Sequence, residues 1–342
     1  LVLILISIGL YTNSQTNKLQ QKWVDNEFKK LSADEKIAQL FIIRTHSNWD
    51  KNKIDSILAI IKKYNVGGIC FFQGDPVNQA IITNQFQQAT KTPLLISIDA
   101  EWGLGMRLNN VINFPKNMQL GALDTSNKQL VYKIGMGIAK QCNRLGIQLN
   151  YAPVADINNN PLNPVINDRS FGEDKYKVSL FATQLMQGLQ ENGVMACAKH
   201  FPGHGDVDVD SHLDLPQINK SIDSLNQFEL YPFKTLINKG IQAVMVAHLF
   251  VPSVDSQKNK PSSLSENTIQ KLLKKELQFN GLVITDALEM NAIKNYYPDN
   301  TAATQAIIAG NDLLCLPADL DGTIKQVKLA IQQNKINWKT IN

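Results

Sequence analysis

The sequence predicts a (β/α)8 barrel, and three observations predict it. Short β-branched apolar runs recur eight times at fairly even intervals, a longer segment of helical period follows each, and the runs are continuous rather than alternating. Continuous runs suit strands covered on both faces, as in a parallel sheet wrapped by helices. In order, strands are expected at 37–44 (IAQLFIIR), 66–72 (VGGICFF), 93–99 (PLLISID), 147–155 (IQLNYAPVA), 194–201 (VMACAKHF), 241–248 (IQAVMVAH), 281–286 (GLVITD) and 312–316 (DLLCL). Helices are expected between them at 55–64, 77–90, 127–145, 176–192, 221–239, 265–277 and 301–309, and after the last strand at 319–333. Barrels of this kind take about 250 residues. The surplus here sits in long loops after the third, fourth and fifth strands. An open doubly wound sheet uses the same alternation and is the alternative architecture.

Composition removes several other classes. With 342 residues, 44% apolar and 19% charged, the chain is too long and hydrophobic for a disordered segment or a disulfide miniprotein. Its formal charge of +4 comes from 34 basic and 30 acidic side chains that are dispersed along the sequence, so no nucleic-acid partner is expected. No apolar run reaches the roughly 18 residues that a membrane span requires.

The first ten residues, LVLILISIGL, followed by the polar YTNSQTN, have the length and order of a secretory apolar region and its exit. Residues 1–16 are therefore read as the remnant of an export signal, placing the protein in the periplasm or outside the cell. It lacks the basic start and has a poor small-residue cleavage pattern. Residues 20–342 are read as one catalytic barrel, whose end, NWKTIN, closes without a feature of its own, as in a piece of a longer chain. Cys70, Cys142, Cys197 and Cys315 are widely spaced, three of them in strand-like runs, so they are expected as core thiols.

In a barrel, chemistry belongs at the C-terminal ends of the strands, where the βα-loops converge. All five histidines obey this placement: His46 follows the first strand, His200, His204 and His212 lie at or after the fifth, and His248 closes the sixth. Asp99, Asp156 and Asp286 sit at strand ends too, on apolar runs where an ionised side chain is costly unless solvated or paired.

The richest stretch is 199–212, KHFPGHGDVDVDSH. A calcium loop would use Asp206, Asp208 and Asp210, but Ser211 replaces the needed glycine and Gln217 the bidentate glutamate. A zinc site would draw on His200, His204 and His212, yet the first strand ends in Arg44, Thr45 and His46 rather than in paired histidines. The third reading is metal-free acid–base chemistry. Asp210, two residues before His212, can hold one ring nitrogen and leave the other to move a proton near neutral pH; a solvated loop pair is the plainer alternative. Asp286, at the tip of an apolar strand with Lys199 and Arg169 on the same rim, is a candidate ionised nucleophile, or alternatively a helix N-cap.

Together these motifs closely resemble glycoside hydrolase family 3, in its β-N-acetylglucosaminidase branch. The resemblance rests on KHFPGHGDVDVDSH at 199–212, NDRSFG at 167–172 and ITDAL at 284–288. It also includes IDAE at 98–101 with MRL at 106–108, YAPVAD at 151–156, MVAH at 245–248 and AGND at 309–312. It implies a retaining, cofactor-free and metal-free hydrolase in which Asp286 attacks the anomeric carbon and His212, paired with Asp210, serves as acid and base. It further implies that Asp99, Arg169, Lys199 and His200 hold the sugar, with His248 lining the same pocket. The expected activity is exo-β-N-acetylglucosaminidase on oligosaccharide or muropeptide substrates, as a monomer. The alternatives are a β-glucosidase of the same family and a non-catalytic sugar-binding module. Many relatives read DQEGG after the third strand, where this chain has Asp99-Ala100-Glu101-Trp102-Gly103, so Trp102 puts the fine specificity in question.

Overall fold

The computed structural model describes residues 18–208, 210–211, 213–297 and 300–341. Residues 1–16, expected as an export signal, and His212 thus lie outside the described residues. Eight parallel strands form one sheet in the order β7-β6-β5-β4-β3-β2-β1-β8. They are β1 Phe41–Thr45, β2 Gly68–Phe71, β3 Leu95–Ile98, β4 Leu149–Asn150, β5 Met195–Phe201, β6 Ala243–Val246, β7 Leu282–Thr285 and β8 Leu314–Cys315. The ring closes between β7 and β8 through the bridge of Ile284 to Leu313 and the bond from Thr285 N–H to the Leu313 carbonyl, 3.0 Å. This is the barrel that the sequence predicted, not the open sheet.

Several helices begin where a side chain caps them. The main helices, named in chain order, are α1 Ala33–Ala38, α2 Lys51–Tyr64, α3 Pro76–Ala89, α4 Lys128–Arg144, α5 Lys175–Gln190, α6 Ile222–Gln227, α7 Leu230–Asn238, α8 Thr301–Ala309 and α9 Leu320–Gln332. Asp50, Asp75, Asp174 and Asp319 cap α2, α3, α5 and α9 by accepting backbone N–H bonds of the first turn. Asp50 starts α2 four residues before the apolar periodicity does.

Four elements differ from the sequence expectation. The start of the first predicted strand is helical, because the reciprocal Ser32–Glu35 capping box draws Ile37 and Ala38 into α1. The fourth strand pairs regularly over only two residues before the Ala152–Pro153 bond, which is cis. The single helix expected at 221–239 divides at Phe228 into α6 and α7. The segment Asn267–Glu276, expected as an ordinary helix, winds more widely, with i→i−5 bonding at its end from Leu277 to Leu272.

Two apolar layers result. The larger one fills the space between strands and helices and includes Phe41, Phe71, Phe86, Phe181 and Phe233, all fully buried. The smaller fills the barrel axis with Ile42, Cys70, Leu149, Tyr151, Cys197, Met245, Ile284 and Cys315. All four thiols are buried and unpaired, and burial pushes Cys70 and Cys142 up to about 12, so they stay protonated. No helix among the described residues is long and apolar enough to cross a membrane.

Candidate active site

The axial layer is the floor of a cavity of about 500 Å³ that opens at the C-terminal ends of the strands. Its walls bring together Asp99 after β3, Arg169 after β4, Lys199 and His200 on β5, and Asp286 after β7. Five of the eight residues singled out from the sequence therefore share one cavity.

Lys199 is the centre of its charged wall. The side chain is 1% exposed, and its ammonium lies between Asp99 and Glu101, 2.7 Å from Glu101 Oε1 and in direct contact with Asp99 Oδ1. Arg107 donates from Nη2 to Asp99 Oδ2 at 2.8 Å and from Nε to the Asp99 carbonyl at 3.2 Å. Arg169 grips Glu101 with two nitrogens, Nη2 to Oε1 at 2.7 Å and Nε to Oε2 at 3.0 Å. Burial alone would raise both carboxylates, but Lys199 with Arg107 holds Asp99 well below the usual range, and Arg169 with Lys199 holds Glu101 below it. The same pairing holds the Lys199 ammonium above its ordinary value against the opposing effect of burial. Lys199, Arg107 and Arg169 are thus set against Asp99, Glu101 and Asp286, and Arg44 against Glu289. The lining thus offers donors and acceptors with little net charge.

A second group of bonds fixes the imidazoles. Asp156 is fully buried and receives the backbone N–H of His200 on both oxygens at 3.1 Å, the backbone N–H of His204 at 2.7 Å, and His200 Nδ1 at 2.6 Å. His200 Nε2 lies 3.2 Å from Arg169 Nη2, and because a guanidinium only donates, this nitrogen accepts. His200 Nδ1 is thus the donor to Asp156. His204 is buried beside it and touches Ser211 Oγ through Nε2 at 3.2 Å, while its Nδ1 has no hydrogen-bond partner among the described residues. Burial pushes His204 down to about 4, so it is neutral at physiological pH.

Asp286 stands half-buried in the opposite wall, just beyond the last residue of β7. Its N–H bonds the Val246 carbonyl at 2.9 Å, and its Oδ1 accepts from Ala287 N–H at 2.7 Å. Burial opposes ionisation, but His248, His200, the Ala287 N–H and Lys199 outweigh it, so the carboxyl titrates below its ordinary value. The helix-cap alternative does not hold, since the next helical turn, Asn291–Lys294, begins only after Met290. His248 lies beneath the cavity rather than in its wall. It is fully buried, with Nδ1 2.7 Å from Ser263 Oγ and Nε2 donating to the Ala287 carbonyl at 3.0 Å. It thereby fixes the residue next to Asp286.

The loop after β5 is anchored at its root and enters the cavity at Ser211. Asn163 donates to the His204 carbonyl at 2.7 Å, and Asp206 is held by Asn159 at 3.0 Å and Lys220 at 2.7 Å. Asp206 is thus engaged with a cation of the protein, against its use in a calcium loop. The Asp210 carbonyl accepts from Leu213 and Asp214, and the Ser211 carbonyl from Ala292 of the turn that follows Asp286. Among the described residues, no three His, Cys, Asp or Glu side chains converge as a metal cage.

Sequence reasoning gave no role to Glu101, Arg107, Tyr151 or Arg44. Tyr151 forms part of the floor, with its hydroxyl 3.0 Å from Ser97 Oγ, and Arg44 lines the cavity while paired with Glu289. The available signal was a charge interrupting an apolar run, which Arg44 gives in β1.

Eight parallel strands with acids, bases and cations gathered at one rim define a (β/α)8 barrel with an enzyme-type pocket at its C-terminal face. Residues 32–342 match the family profile described as glycosyl hydrolase family 3 N terminal domain, and the chain belongs to that family. It is 33% identical to beta-hexosaminidase A of Pseudoalteromonas piscicida over 313 residues, which cover 83% of this chain and 52% of that protein. It is also 33% identical to a beta-hexosaminidase of Methylobacillus flagellatus over 282 residues, or 79% of this chain and 80% of the relative. The solved structure of a glycoside hydrolase family 3 beta-N-acetylglucosaminidase from Paenibacillus sp. str. FPU-7 superposes with a TM-score of 0.84 at 37% identity, covering 91% of this chain and 60% of that one. The chain thus spans about half the length of the first of these relatives and three-fifths of the solved structure.

Proposed function

We propose that this chain is a retaining exo-β-N-acetylglucosaminidase that releases terminal β-linked N-acetylglucosamine from oligosaccharides or muropeptides outside the cytoplasm. The observation that carries this reading is Asp286, a carboxylate held ionised in the cavity that also contains Asp99, Arg169, Lys199 and His200. An ionised carboxylate in the wall of a sugar-sized pocket is a nucleophile for an anomeric carbon. Asp286 forms a bond to that carbon as the glycosidic C–O bond breaks, and the departing oxygen takes a proton from His212. In the second half, His212 removes a proton from water, the water oxygen attacks the same carbon, and the Asp286 carboxylate is released.

Asp210, two positions from His212, is assigned the task of orienting its ring. Asp99, Arg169, Lys199 and His200 supply the donors and acceptors for the sugar hydroxyls. The relatives named as hexosaminidases and the beta-N-acetylglucosaminidase from Paenibacillus support N-acetylglucosamine as the sugar. The apolar run at 1–10 with its polar exit supports export.

The test is a side-by-side assay of aryl β-N-acetylglucosaminide, aryl β-glucoside and muropeptide. The first and third are expected to be hydrolysed, and Asp286→Asn is expected to abolish turnover of every substrate. His212→Ala should slow poor leaving groups far more than activated aryl glycosides, which need little protonation. Equal losses on both would remove His212 from the acid/base role, and a strong preference for the glucoside would move the chain to the β-glucosidase reading.

A further inference from the structure

The rim carries a second concavity that the proposed chemistry does not use. It is a groove of about 590 Å³ between the loops that follow β3 and β4, with Trp102, Asn113, Phe114, Lys116, Gln119 and Asp168 among its walls. Trp102 and Asp168 are the chain neighbours of Glu101 and Arg169, the ion pair behind the wall of the catalytic cavity. The two concavities therefore flank one charged partition.

The backbone that carries Trp102 is held in a tight setting. Gly103, at φ +89, packs so tightly that a Cβ there would meet the Phe114 ring at 2.7 Å, and a Cβ on Gly105 would lie 1.5 Å from Asn113 Oδ1. Glu101 and Gly103, on either side of Trp102, are joined by a β-bridge. A partly exposed aromatic ring on a backbone packed where only glycine fits has little main-chain freedom to lose, so a ligand need not order that backbone.

The groove's chemistry selects its occupant. The Lys116 ammonium lies over one face of the Trp102 ring, 5.3 Å from its centroid, and 2.5 Å from Asp168 Oδ2. Its charge is cancelled by Asp168, and both side chains are about half exposed, at 45% and 50%, so solvent screens the pair and ligand hydroxyls can compete for it. An aromatic face bordered by two carboxamides, a carboxylate and an ammonium of cancelling charge matches a neutral pyranose. The C–H face of the sugar packs on the indole while its hydroxyls bond the polar edge. A phosphate or a polyanion would meet no uncompensated cation.

We propose that this groove binds a pyranose ring of the glycan outside the residue held in the cavity, with Trp102 as its platform. The inference rests on the glycosidase reading for its choice of glycan, and its test is arranged to fail separately. Asp286→Asn protein is titrated calorimetrically with N-acetylglucosamine and with its β-1,4-linked trisaccharide, then again with Trp102→Ala or Trp102→Phe added. The trisaccharide is expected to bind more tightly than the monosaccharide. Trp102→Ala should weaken the trisaccharide about fivefold to tenfold, leave the monosaccharide within about twofold, and be partly rescued by Trp102→Phe. Equal weakening of both ligands, an unchanged trisaccharide affinity, or no preference for the trisaccharide in the parent protein would overturn the proposal. Turnover of the aryl glycoside by the native enzyme is read independently: its absence with trisaccharide binding intact would remove the hydrolase reading and leave the platform standing.

Discussion

Lys199 is the residue on which the cavity's electrostatics turn. It is buried between two carboxylates, and breaking such a pair from one side costs more than the pair itself contributes, because the remaining charges stay buried without compensation. Lys199→Met is expected to destabilise the fold by about 3–5 kcal/mol, read as a lower urea midpoint. It should also move the acid limb of kcat/KM to higher pH, because Lys199 is one of the groups that lower Asp286. Lys199→Arg, which keeps the charge, should leave the limb in place; an acid limb unmoved in Lys199→Met would detach Lys199 from the ionisation of Asp286. At this scale the sequence was informative where a charge stood alone on an apolar run, as with Lys199, Asp99 and Asp286. It was silent on Asp156 as the common acceptor for His200 and His204, and on Arg107 as the clamp of Asp99. Those roles depend on contacts between distant loops, and spacing does not encode them.

The elements show the same division. Eight strands were legible because burial on both faces leaves a continuous apolar run, and their ends were blurred where capping overrode periodicity, as at Ser32 and Asp50. The seam between α4 and α5 was not legible at all, since glycine in a helical pattern carries no sign of what approaches it. A Cβ on Gly188 would lie 2.3 Å from the Tyr132 carbonyl oxygen, and one on Gly135 would lie 2.6 Å from that of Leu185. The two helices cross with backbone against backbone. Gly188→Ala should therefore lower stability despite its better helix propensity, by about 1–3 kcal/mol from overpacking, while kcat at 25 °C stays near the parent value because the seam lies outside the barrel. A raised melting temperature would mean that the helices separate freely and that the close approach has no energetic weight.

For the whole molecule, the perturbed groups define how stability depends on pH, in two stages. His204 is neutral in the fold, with a pKa pushed down by burial from 6.5 to about 4. Between those values the unfolded chain binds a proton that the folded chain refuses, so stability rises with pH in that window and is lost as pH falls from 6.5 toward 4. One such group gives a slope of up to about 1.4 kcal/mol per pH unit, and His46, also lowered by burial and by nearby cations, acts in the same direction. The second stage belongs to Asp99, Glu101, Asp156 and Asp286, whose folded pKa values all lie below their ordinary ones. Their contribution is fully present above about pH 5 and fades as the solution is acidified through and below the ordinary carboxylate range of about 4. Urea unfolding from pH 7 to 3 should show a gradual decline to pH 4 and a steeper one below it. Replacing His204 by Gln should flatten the first stage and spare the second, since the four carboxylates keep the cations and N–H groups that lower them, apart from the His204 ring's own share at Asp156. A parent protein equally stable at pH 7 and pH 5 would mean that the buried imidazole gains its proton without cost, and the neutral His204 described beside the cavity would then be wrong.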